Sequence, residues 1–99
     1  MEASLTHETF TQHANSKFQV QADDDSQVEF QLVEISEIKL YPRQEQFSIT
    51  FRGPLNVAFN QGALSFKHEQ MGEFELFVVP IRHDAEGLYY EAVFNRVRE

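Results

Sequence analysis

The side chains best suited to act as bases or metal ligands in this 99-residue sequence are four histidines, His7, His13, His68 and His83. No two of them stand at a metal-binding spacing, and no cysteine is present to complete a site. His68 continues the alternation of Leu64 and Phe66, which reads as a histidine closing the core face at a strand end; a ligand-facing role is the open alternative. His83, beside Asp84, reads as a solvent-facing loop residue. Asp23, Asp25 and Glu34 match the first, third and twelfth positions of a calcium loop. The glycine such a loop needs at its sixth position is replaced by Val28, and Val28, Phe30 and Leu32 read as a buried strand through its middle. For nucleophilic catalysis the sequence offers Ser48, Ser65 and His68, without a strained Gly-x-Ser-x-Gly turn, and both serines alternate with apolar neighbours as outward strand residues. Four glycines leave little backbone for a phosphate-cradling loop, and Glu73, Glu75 and Glu91 read as solvated outward positions. The expectation is no enzyme, no cofactor and no metal.

The most distinctive stretch is C-terminal, Gly87-Leu88-Tyr89-Tyr90-Glu91-Ala92-Val93-Phe94-Asn95-Arg96. Asn95 and Arg96, directly after an apolar Phe94, could bond the open end of a sheet or barrel. Alternatively they form a recognition patch with Tyr89 and Tyr90, because tyrosine and arginine are enriched in interface hot spots. His68, Tyr89, Tyr90, Asn95 and Arg96 are therefore the candidate binding residues.

The elements that must position these residues follow from hydrophobic period. Residues 5–13 predict a short helix, with Thr6 as cap, Glu8 in the first turn, and Leu5 and Phe10 to dock it. From 16 to 96 the period is two, predicting antiparallel strands. Phe18 and Val20 share one face; Asp23-Asp24-Asp25-Ser26 predicts a turn. Val28, Phe30 and Leu32 then slip register at Val33 and Ile35, which predicts a β-bulge in a strand running on through Ile38 and Leu40. After a break at Tyr41-Pro42-Arg43-Gln44, strands are predicted at Phe47–Phe51, Leu55–Phe59, Leu64–His68, Glu73–Pro80 and Leu88–Asn95, with Arg82 to Gly87 as a polar hairpin loop. The strand at Phe74–Val79 is apolar on both faces, which implies cover from a helix, a second sheet or a partner chain. The fold class expected is all-β, mainly antiparallel: a six- to seven-stranded small barrel or sandwich with a short N-terminal helix, in one domain over 1–99.

Composition limits the function classes. Sixteen acidic residues against eight basic ones leave a formal charge of −8, which repels phosphate backbones and anionic lipid, so neither nucleic acid nor membrane is the expected partner. The start, Met1-Glu2-Ala3-Ser4, lacks signal-peptide features, and no apolar run is long enough for a membrane helix. With no cysteine, a cytoplasmic protein is expected. Ten phenylalanines and no tryptophan predict a core with few polar atoms to satisfy.

One resemblance spans most of the chain. Gln61-Gly62, His68, Met71-Gly72, Phe74, Phe77-Val78-Val79-Pro80 and Tyr90-Glu91-Ala92-Val93-Phe94-Asn95-Arg96 resemble a family of small bacterial proteins of unknown function. The family pattern is a Gln-Gly turn, a strand ending in His, a Gly turn, a Phe-x-x-Phe strand ending in Pro, and a terminal Tyr-Glu-Ala-Val-Phe-Asn-Arg. The spacing of Leu5, Phe10 and Phe18 is also similar; the departure is at Asn15-Ser16, where the pattern has a glycine. The resemblance implies a compact β domain without an established activity, and an accessory role in a phage-tail-like assembly. The function expected is a structural or interaction module that docks a protein partner or forms a homo-oligomer; the alternative is a small-ligand or glycan-binding β-barrel.

Overall fold

A computed structural model describes residues 5–22 and 26–97. They form a helix, α1 (His7–Gln12), then β1 (Lys17–Gln21), β2 (Gln27–Ile35), β3 (Lys39–Tyr41), β4 (Gln44–Gly53), β5 (Gly62–His68), β6 (Gly72–Asp84) and β7 (Gly87–Val97). The strand order is β2-β1-β5-β6-β7-β4-β3, and every pairing is antiparallel. An additional β2–β4 pairing closes six strands into a barrel, leaving β3 attached outside on β4. Closure removes most of the free edges that an open sheet would present.

The barrel interior is built from alternate residues of each strand. Phe18 and Val20, Val28, Phe30 and Leu32, Phe47, Ile49 and Phe51, Phe66, Leu76 and Val78, and Tyr90 and Ala92 form one buried cluster. Its rings meet edge-on or stacked: Phe18 against Phe51 at 5.2 Å, Phe30 stacked on Tyr90 at 5.0 Å and Phe47 on Phe94 at 4.8 Å. Each fully buried ring contributes about 1.5–3 kcal/mol of transfer free energy.

α1 plugs one end. Thr6 caps it, accepting the Thr9 N–H at 3.1 Å, and Phe10 inserts with no exposed surface against Phe47, Phe74 and Phe94. Asn15 follows in the left-handed region at φ 66°, and its N–H bonds the Leu32 carbonyl. Glycine adopts that conformation freely and asparagine tolerates it, so the turn forms with Asn15 where the sequence reading expected a glycine. The opposite end is covered by the 54–61 segment, where Val57 and Phe59 pack on the core.

The register slip in β2 is a bulge between Leu32 and Glu34, where β2 crosses to β4. Three sequence expectations need correction. Leu55–Phe59 is a loop, because its apolar residues cap the barrel end and the Phe59 N–H is taken by the Tyr90 hydroxyl at 3.0 Å instead of a strand. The β2 run stops at Ile35, because Ser36 turns to exchange bonds with Ser48: its N–H donates to the Ser48 carbonyl and its hydroxyl accepts the Ser48 N–H. The Arg82–Gly87 loop shrinks to a tight turn, because the Asp84 carboxylate accepts the N–H groups of Glu86 and Gly87, and Arg82, His83 and Asp84 remain in the ladder. The predicted Asp23–Asp25 turn and the two acidic calcium-loop candidates in it lie outside the described residues.

Candidate functional site

Of the residues singled out from the sequence, His68, Tyr89, Tyr90 and Asn95 are not brought together in one site. His68 ends β5 on the inside, 7% exposed, beneath α1. Its Nδ1 accepts two backbone N–H groups, from Gln70 at 3.0 Å and Met71 at 3.2 Å, so that nitrogen carries no proton. Nε2 therefore carries the proton and donates to Ser16 Oγ at 3.0 Å, and the Ser16 hydroxyl donates to the His13 carbonyl. The His13 ring lies 4.7 Å from the His68 ring and the Phe18 ring 4.5 Å away. Burial pushes the His68 pKa below its ordinary value and neighbouring His13 lowers it further, against a smaller opposing effect of Glu69. This is a serine–histidine pair, but with Ser16 in place of Ser48 or Ser65, and with the tautomer reversed from the one a base needs. Its geometry ties the β5–β6 turn to the end of α1.

Tyr89 and Tyr90 are adjacent on β7 and so point to opposite faces. Tyr90 is core, stacked on Phe30. Tyr89 points outward yet is covered: the Arg82 guanidinium lies 4.4 Å over its ring, and its hydroxyl donates to Asp84 Oδ2 at 2.9 Å. Burial raises the Tyr89 pKa and the bond to Asp84 adds to the effect; the Asp84 carboxyl is held low, first by the Glu86 N–H. Arg82 also pairs with Glu34, and Arg52 pairs with Glu86 while donating to Gln31. This outer network staples β6, β7, β4 and β2 across the barrel wall. Asn95 lies on the part of β7 paired with β4, where its Oδ1 accepts from Gln44 Nε2 at 2.9 Å; the Arg96 side chain lies outside the description.

One exposed feature of the barrel wall is apolar. Among the ten phenylalanines, Phe77 alone is exposed, at 58%. It lies outward on β6 opposite Ala63 of β5, followed on the same face by Val79. Val79 pairs with Glu91 of β7, and extending that register by two residues sets Phe77 opposite Val93. Val79, Ile81 and Val93 are 36%, 40% and 49% exposed. Ile81 is the extra residue of a bulge between Pro80 and Arg82. It opens onto a groove of about 430 Å³ that Ala58, Phe59, Pro80 and Leu88 also line. The cover expected on both faces of Phe74–Val79 is found on one face only: among the described residues nothing covers Phe77 and Val79.

Other grooves have mixed linings. One of about 380 Å³ is lined by Gln19, Lys67, Glu73 and Glu75 with Phe66 and Phe74, and another of about 450 Å³ by Gln31, Arg52 and Glu86 with Val28, Pro54 and Val57. Among the described residues there is no cluster of three or more potential metal ligands, and no helix is long and apolar enough to cross a membrane.

Comparison with known proteins returns no matching curated protein and no matching solved structure. A family profile does match, over residues 5–94, from the first docking residue of the helix segment to the last core phenylalanine. The chain belongs to the family described as a domain of unknown function, DUF6916.

Proposed function

We propose that this protein is a non-enzymatic interaction module that docks another polypeptide on the outer β6–β7 face. The observation that carries this reading is Phe77, a large apolar side chain held outward by strand register beside Val79, Val93 and the bulged Ile81. Covering each such side chain is worth about 1.5–3 kcal/mol, so a few of them supply the driving force of a modest interface. An accessory role in a larger, phage-tail-like assembly is one form of this reading.

The test compares wild type with Phe77→Ser. Because Phe77 leaves the core untouched, the variant is expected to keep its circular dichroism and melting temperature. Wild type is expected to co-purify from source cells with a stoichiometric protein that the variant loses, while light scattering follows the molar mass of each. Identical co-purifying proteins and identical mass for the two chains would overturn the proposal.

A further inference from the structure

The charges around Phe77 say what kind of protein fits there. On β6 the outward residue two before Phe77 is Glu75, and on β7 the residue paired with Val79 is Glu91. Across from Phe77 and Glu75, β5 presents Ala63 and Ser65, which carry no charge. Lys67, the next outward residue of β5, stands opposite Glu73. Arg82, the cation further along β6, is engaged by the Glu34 carboxylate and the Tyr89 ring. Among the described residues neither Glu75 nor Glu91 forms an ion pair, and with Lys67 shared between Glu73 and the diagonal Glu75 the border of the apolar face is net acidic.

Resting on the interaction reading above, we infer that the partner segment is an apolar anchor flanked by lysine or arginine. The anchor covers Phe77, Val79 and Val93, while the basic flanks meet Glu75 and Glu91. A second copy of this chain fits poorly, since it would place the same carboxylates against one another on a molecule already carrying −8. Nucleic acid and anionic membranes meet the same repulsion. The contact is made by side chains on the face; where β6 runs past the end of its pairing with β5, Pro80 lacks an N–H and disfavours strand addition.

The experiment places a photo-cross-linking benzoylphenylalanine at position 77 of the full chain, expressed in its source cells, and maps the captured segment by mass spectrometry. The same chain is also prepared with Glu75→Gln and Glu91→Gln, and the purified pair is re-cross-linked over a dilution series at low and high salt. The expected result is an apolar segment with Lys or Arg within a few residues of the adduct. Loss of two exposed charge pairs is expected to weaken capture about 2- to 30-fold, and high salt to do the same to wild type. Capture of a second copy or of an acidic segment overturns the inference but leaves the docking face standing, as does capture unmoved by the glutamine changes. No adduct at all overturns both.

Discussion

Lowering the pH from 8 to 5 perturbs His68 in a way the geometry makes quantitative. In the folded chain Nδ1 is occupied by the Gln70 and Met71 N–H groups, so a second ring proton must displace both bonds. The buried Met71 N–H left unmet costs about 1–3 kcal/mol, and the incoming charge is buried beside the His13 ring at 4.7 Å. The folded-state pKa is accordingly depressed. The unfolded chain takes up this proton near the ordinary value of about 6.5 while the native chain does not. Stability from this group is therefore complete above that pH and is lost as pH falls below it, until His68 protonates in the fold. Within that window the slope is up to about 1.4 kcal/mol per pH unit. The assay is urea denaturation followed by circular dichroism, since the chain has no tryptophan to report by fluorescence. The comparison is with His68→Gln, and the difference between the two curves reports the contribution of His68 and its contacts. The difference is expected to be largest near neutral pH and to shrink on acidification. Parallel curves from pH 8 to 5 would refute the assigned tautomer and the latch it forms between α1 and the β5–β6 turn.

Other outcomes follow from the core and its two ends. Phe10→Ala removes the plug beneath α1 and is expected to cost about 3–5 kcal/mol, read as a lower denaturation midpoint with early hydrogen exchange at that end of the barrel. Tyr90→Phe leaves the Phe59 N–H without its acceptor and is expected to cost about 1–3 kcal/mol, with faster exchange of the Phe59 amide as the local signature. Gly53→Ala would set a Cβ 2.6 Å from Phe30 Cε1, a ring with no exposed surface. The overpacking is expected to cost about 1–3 kcal/mol in the same denaturation assay.

Much of the architecture is written in local pattern. Period-two alternation placed the inward faces of β1, β4, β5 and β7, because a pleated strand cannot present neighbouring residues to one side. The slip at Val33 announced the bulge at the crossing of β2 and β4, and Thr6 with Glu8 announced the start of α1. The Leu55–Phe59 alternation carries the same signal and is no strand; a segment that caps a barrel end also needs apolar residues, and period alone does not distinguish the two.

The candidate site was less legible. Alternation put His68 inside, but its partner Ser16 lies 52 residues away and reaches it only through the closure of β1 on β5. Tyr89 and Tyr90 are neighbours in sequence and cannot form one patch, because β geometry sends them to opposite faces of the wall. The sequence by itself determined which residues alternate, where the chain turns, that the core would be phenylalanine, and that β6 carries apolar residues on both faces. Only the tertiary structure decided which of those faces is closed. The barrel's curvature turns Phe74, Leu76 and Val78 toward a common interior, and leaves Phe77 and Val79 outside, where strand pairing satisfies the backbone but brings no side chains to cover them.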